Sequence, residues 1–171
     1  MSVLRAGNTT LEDGKVRICV PIAYETEKEI LEESVRIGKS SVADIAEWRI
    51  DWYQDVFQPR KRNALAKKIR KNLQGKPLLV TFRSRREGGE RDITPEAYQT
   101  LLDEVIESNM ADLLDVELSQ GMACVQELIK HAHQMVSVLL YHSTILKRHQ
   151  KLQILLQQWS RWKATAQMSA K

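Results

Sequence analysis

Five short runs rich in valine, isoleucine and leucine punctuate the first 142 residues, at 16–22, 42–51, 77–83, 112–118 and 136–142. Their length and β-branched content predict strands. In the intervals 25–39, 59–73, 94–108 and 122–133, apolar residues recur at three- and four-residue spacing, the period of a helix that buries one face. The third interval is the clearest. Thr94 precedes Pro95, and Ala97, Leu101, Leu102, Val105 and Ile106 share one side, which predicts a capped amphipathic helix with proline in its first turn. Strands that are almost continuously apolar and alternate with helices imply parallel pairing, as in a doubly wound sheet or a (β/α)8 barrel. The first run and the residues that follow it, ICVPIAYE, contain no glycine and so lack the phosphate loop of a dinucleotide-binding domain. Charged residues sit instead at the carboxyl ends of several strands, where a barrel carries its chemistry. The fold expected is α/β, an incomplete (β/α)8 barrel of about five parallel strands with intervening helices. A whole barrel needs eight strands and roughly 250 residues, so the fifth strand is expected to present an open edge.

Composition narrows this only a little. With 171 residues, 43% of them apolar, one domain core is the expectation. The longest apolar runs fall well short of the roughly 20 residues of a membrane span, and the opening MSVLRAGNTTLEDGK has no secretory apolar stretch, so a cytoplasmic protein is expected. Cys19 and Cys124 have neither metal-ligand nor redox spacing and read as free thiols. The net charge of +4 divides unevenly: residues 144–171 hold six bases and no acid, leaving 20 bases against 22 acids in residues 1–143. Residues 1–143 therefore read as the barrel part and 144–171 as a basic tail, with modest helical character.

The candidate chemistry lies on the strands. Glu47, Arg49 and Asp51 alternate, so period two points all three one way, opposite Ala46, Trp48 and Ile50. Three buried charges either neutralise one another or hold a polar ligand; an exposed edge strand with a solvated face is the plainer alternative. Arg83 ends the third strand, and Glu87 follows in SRREGGER, a loop whose two glycines allow unusual backbone angles; a merely basic surface loop is the plainer alternative. Asp115 and Glu117 repeat the alternation on the fourth strand, as salt-bridge partners or as ligand groups. His142 closes the fifth, where a lone histidine is more often structural than catalytic.

The segments ICVPI, ADIAEWRID, PLLVTFRSRREGGER, ADLLDVEL and the pair Tyr141-His142 resemble, in order and spacing, the type I 3-dehydroquinate dehydratases. TFR-x3-EGGE is the most specific of these strings. The resemblance covers residues 16–142, somewhat more than half of that family's domain. It implies a lyase of the shikimate pathway, and so of aromatic amino acid biosynthesis, that removes water from 3-dehydroquinate to give 3-dehydroshikimate. In that family a lysine on the next strand forms a Schiff base with the substrate ketone. By resemblance His142 is the acid/base, Glu87 the carboxylate that orients it, and Glu47, Arg49 and Arg83 bind substrate. No metal or dissociable cofactor is implied. The partner implied is the small-molecule substrate, with no nucleic acid and no membrane, and the full-length family is expected to be homodimeric.

After His142 the family pattern stops. The family continues with a Thr-Pro turn and a helix leading to the lysine strand, whereas STILKRHQKLQILLQQWSRWKATAQMSAK has two tryptophans and no acid. A reading-frame slip accounts for this. Taking the third base of each codon with the first two of the next, 144–171 can be re-read, degeneracy permitting, as NFEKTPKVTNIIATMVKMESYGADVSK. That string restores the Thr-Pro and ends on the missing lysine. The chain is therefore expected to be truncated in frame, to have no Schiff-base lysine of its own, and to show little or no activity. Lys171 lacks a strand to hold it and is not that lysine. Poor stability and association or aggregation are expected from the open edge. Two other readings stay open: a basic tail that binds nucleic acid or an acidic partner, and a non-catalytic half-barrel that self-associates.

Overall fold

The structure, a computed structural model, describes residues 3–12, 14–134 and 138–142. Two antiparallel strands, β1 (Val3–Ala6) and β2 (Thr9–Glu12), form a hairpin. After it come β3 (Cys19–Ile22), α1 (Glu27–Lys39), β4 (Ile45–Arg49), α2 (Pro59–Asn72), β5 (Leu78–Thr81), α3 (Pro95–Glu107), β6 (Leu113–Glu117), α4 (Met122–Gln134) and β7 (Val138–His142). β3 to β7 make one sheet in chain order, every neighbouring pair parallel. All five predicted strands and four predicted helices are present. The first strand begins at Cys19 rather than at 16, because the chain before it lies off the sheet, with Val16 91% exposed. The tail at 144–171, including Lys171 and its expected helical character, lies outside the described residues.

Local chemistry starts the helices where the pattern does. Thr26 caps α1 by accepting from the Glu29 N–H while the Glu29 carboxylate reaches back to the Thr26 N–H, and Arg36 and Lys39 sit in the last turn, where the helix dipole favours cations. Thr94 caps α3 through the Ala97 N–H, with Pro95 opening the helix. Lys76 finishes α1 from a distance, its ammonium donating to the carbonyls of Ile37, Ser40 and Ala43.

The sheet has two different faces. Ala46, Trp48, Ile50, Leu78, Val80, Phe82, Leu114 and Val116 are buried in one core cluster with the apolar sides of the helices. On the other face, Ile45 and Leu113 form a small apolar layer with Cys19 and Leu79, packed with Ala6 and Leu11 of the hairpin. The hairpin thus covers the amino ends of the strands, tied there by Asn8 N–H to the Gly75 carbonyl and by Arg17 to the Thr10 carbonyl and the Asp44 carboxylate. It was not anticipated from the sequence: four-residue strands with polar threonines give no clear period. Its one local sign is Gly7 in Ala-Gly-Asn, which takes φ +50° and lies so close to the Gly75 carbonyl that a Cβ would stand 2.8 Å from the oxygen.

α1 and α2 approach one another more closely still. A Cβ on Gly38 would lie 2.0 Å from the Asn72 carbonyl oxygen, a backbone atom at the end of α2. Alanine would gain about 1 kcal/mol of helix propensity but force the two helices apart. Gly38→Ala is therefore expected to destabilise by roughly 1–3 kcal/mol net, read as a lowered urea midpoint in pulse proteolysis. An unchanged or raised midpoint would show that this contact does not govern the packing of the pair. Among the described residues no helix is long and apolar enough to cross a membrane.

Candidate active site

Above the small apolar layer, toward the carboxyl ends of the strands, the inner face of the sheet becomes charged. On β4, Glu47 is half-buried and accepts from the Thr81 hydroxyl of β5 at 2.8 Å. Two residues on, Arg49 lies on the same side and grips Asp51 through two bonds of 2.9 and 2.7 Å. The shared direction of Glu47 and Arg49, opposite Ala46, Trp48 and Ile50, is what period two predicts, and the plain alternative of a solvated edge face falls away. Asp51 differs from the expectation of three charges side by side. It lies past the end of β4, wholly buried, and neutralises Arg49.

Arg83, just past β5, is the hub of the next layer. Its Nη2 donates to the Asp115 Oδ2 at 2.8 Å, and Nη1 lies 3.4 Å from Glu87 and 3.8 Å from Glu117. Glu87 arrives there because Arg85–Glu87 makes a single 3-10 turn, stopped by Gly88 at φ +84°. Glu117 accepts from the Ser84 N–H at 2.8 Å and from Gln120 at 2.7 Å, while its own N–H donates to the Tyr98 hydroxyl at 2.9 Å. Asp115 and Glu117 therefore act as ion-pair partners of Arg83, one of the two readings that the sequence left open.

Burial and shared charge set the protonation of this group. Burial pushes Asp115 up to about 7; Arg83 pulls it back, while the negative charges of Glu47, Glu117 and Glu87 push it further up. Burial also works against the charge of Arg49, yet Asp51 beside it, with Glu47 and Asp115 beyond, holds its pKa above the usual arginine value. Tyr98 is driven well above its ordinary value, chiefly by burial, and so stays a neutral phenol. Burial, with Glu47 nearby, pushes the Cys19 thiol up to about 12, and Cys124 is raised by burial as well. Both are free thiols, Cys124 buried and Cys19 half-buried. Thiols so shifted are poor nucleophiles.

Of the residues singled out from sequence, Glu47, Arg49, Arg83 and Glu87 are brought to one end of the sheet. His142 ends β7, and its backbone registers with Glu117; its side chain lies outside the described residues. Sequence reasoning missed Arg91, which donates to the backbone carbonyls of Asp51 and Tyr53, and Tyr98, whose hydroxyl takes the Glu117 N–H. Arg91 looked like one more base in a basic loop. Tyr98 sits at a helical position whose apolar neighbours conceal its polar tip. Among the described residues no group of three or more His, Cys, Asp or Glu is placed to hold a metal ion.

Comparison with known proteins gives a consistent picture. The family model described as type I 3-dehydroquinase matches residues 18–168. The 3-dehydroquinate dehydratase of Clostridium botulinum (strain Eklund 17B / Type B) is 40% identical over 131 residues, covering 77% of this chain and 51% of that protein. The Klebsiella pneumoniae subsp. pneumoniae protein of the same name is 38% identical over 126 residues, covering 74% and 50%. Among solved structures, the type I 3-dehydroquinate dehydratase of Clostridium difficile superposes with a TM-score of 0.77 at 32% identity, covering 82% of this chain and 55% of that one. The 3-dehydroquinate dehydratase of Enterococcus faecalis gives 0.72 at 32% identity, covering 81% and 55%. The chain spans about half the length of the curated relatives it matches. The α/β fold, part of a (β/α)8 barrel, is the one these neighbours share.

Proposed function

Because this chain belongs to the type I 3-dehydroquinase family, we propose that the charged end of its sheet is the substrate-binding and acid–base part of a 3-dehydroquinate dehydratase. The observation that carries this reading is that Glu47, Arg49, Arg83 and Glu87, the residues that the resemblance assigns to the site, converge on one end of one parallel sheet. Glu47 and the two guanidinium groups bind the hydroxyls and the carboxylate of a small polyol acid, Arg groups being suited to carboxylates. His142 takes a proton from the carbon next to the substrate imine and returns it to the departing hydroxyl, so that water leaves and a double bond forms. Glu87 orients and polarises that histidine. The imine itself needs a lysine amine on the strand that would follow β7.

On this reading these 171 residues do not supply that lysine in frame. We propose that 144–171 is an out-of-frame reading whose shifted frame encodes it across Ala170 and Lys171. The family match runs on to residue 168, so the proposal rests on the re-read string and not on the extent of the match. The nucleotide sequence around codons 141–144 decides the matter: a single-base slip there is expected, and a base pattern that cannot be re-read as the shifted string removes the proposal. On this reading the 171-residue polypeptide alone is catalytically silent.

Borohydride trapping tests the function. With 3-dehydroquinate present, reduction is expected to leave a lysine of the polypeptide continued in the shifted frame carrying the ligand as a secondary amine, heavier by the ligand's mass less the water lost on imine formation plus the two hydrogens of reduction, and to leave the 171-residue chain unlabelled. Failure of the continued polypeptide to take up label would remove the proposed chemistry.

A further inference from the structure

We infer that Asp51 is a positioning residue for this site, holding Arg49 and the loop that carries Arg83 and Glu87 in a single arrangement. The inference takes its substrate from the function proposed above. Its structural basis is separate: Asp51 has no exposed surface, and both its oxygens are occupied. Oδ1 accepts from Arg49 Nε at 2.9 Å and from the Arg83 N–H at 3.3 Å; Oδ2 accepts from Arg49 Nη2 at 2.7 Å and from the Glu90 N–H at 3.2 Å. Four donors leave this carboxylate little capacity for a ligand, so its action must pass through the groups it holds.

Those groups are the site. The guanidinium of Arg49 is gripped as a fork by two oxygens, which fixes its plane and direction. The loop is caught near both ends, at Arg83 and at Glu90, with Glu87 between them. Arg91 closes the clasp from the other side, Nε to the Asp51 carbonyl at 2.8 Å and Nη2 to the Tyr53 carbonyl at 3.2 Å. Within the loop, the Arg85 N–H donates to the Arg91 carbonyl and the Gly89 N–H to the Ser84 carbonyl. Gly89 is required for this fit, since a Cβ there would lie 1.8 Å from the Arg83 carbonyl oxygen. A wholly buried carboxylate is costly unless every bond is made, so loosening any one of these contacts loosens the others. Preorganised charge of this kind saves a bound substrate from having to order the loop itself.

The test uses the whole 171-residue chain with Asp51→Asn and Arg91→Ala. An asparagine keeps one acceptor oxygen but turns a donor toward Arg49 and toward either the Arg83 or the Glu90 N–H. In Asp51→Asn, amide hydrogen exchange at Arg83 and Glu90 is expected to accelerate at least about tenfold, while exchange at Leu102 and Val105 of α3 stays unchanged. Arg91→Ala, which leaves the carboxylate in place, is expected to do the same at Glu90. Calorimetric affinity for added 3-dehydroquinate should fall at least about tenfold in both variants. Unchanged exchange at these amides overturns the inference. Equal acceleration throughout α3 also overturns it, because that marks a merely structural role, and so does local loosening with intact affinity. Absence of binding by the unaltered chain would instead sink the proposed function, and the exchange pattern alone would then decide the clasp.

Discussion

Arg83→Leu is expected to cost roughly 3–5 kcal/mol of stability, because it removes the cation from a buried cluster and leaves the acids behind. Arg83 and Asp115 are both buried, and their 2.8 Å bond is supported by the approach of Glu87 and Glu117 to the same guanidinium. Leucine fills much of the volume but neutralises nothing. Since Arg83 is the group that draws the Asp115 pKa downward, its loss should also carry the Asp115 titration higher. Pulse proteolysis across a urea series reads the first effect. The double variant Arg83→Leu/Asp115→Asn should recover part of the loss, as contacting residues do not add. A cost below about 1 kcal/mol would mean that water reaches this cluster and screens it.

The pH dependence should isolate Asp115. Its pKa in the folded chain is raised from 3.8 to about 7, so the folded state holds a proton that the unfolded state releases. Stability from this group is therefore complete below about pH 4 and is lost as pH rises through 7, up to roughly 4 kcal/mol in all. Glu12 slopes the opposite way: its pKa is lowered chiefly by its bond to Lys15, an arrangement that stabilises at higher pH. The informative quantity is thus the difference between the unaltered chain and Asp115→Asn. That difference should grow in favour of the variant between pH 4 and 7.5. Parallel curves would show that Asp115 is ionised throughout, with Arg83 outweighing burial.

How much of this was legible in sequence depended on the range of the interactions. Period two placed Glu47 and Arg49 opposite Ala46, Trp48 and Ile50, and the burial of the second group agrees. The helix at 94–108 was legible because Thr94 and Pro95 act within one turn of their own chain, and the others through the spacing of their apolar residues. Asp51 was read as a third charge beside the first two, since its bonds to the Arg83 and Glu90 amides span 32 and 39 residues and leave no local pattern. Arg62 makes the same point on α2. PRKRNALAKKIRKN contains several bases, and only the fold shows that Arg62 is the one buried, held by the Val56 carbonyl and Glu104. The site as a whole became readable only through TFR-x3-EGGE, because no single charged residue in it exceeds what an ordinary surface offers. The β1–β2 hairpin went unread since its strands are too short for a period and its packing partners, Ile45 and Leu113, lie far along the chain.

On the function proposed above, the residues that hold the substrate and the amine that attacks it lie on different strands. Purified 171-residue polypeptide, free of host enzyme, should therefore be incubated with 3-dehydroquinate and followed for the conjugated product. No turnover above the uncatalysed background is predicted, with the polypeptide continued in the shifted frame as the active comparison. Sustained product formation by the 171-residue chain itself would contradict the central claim.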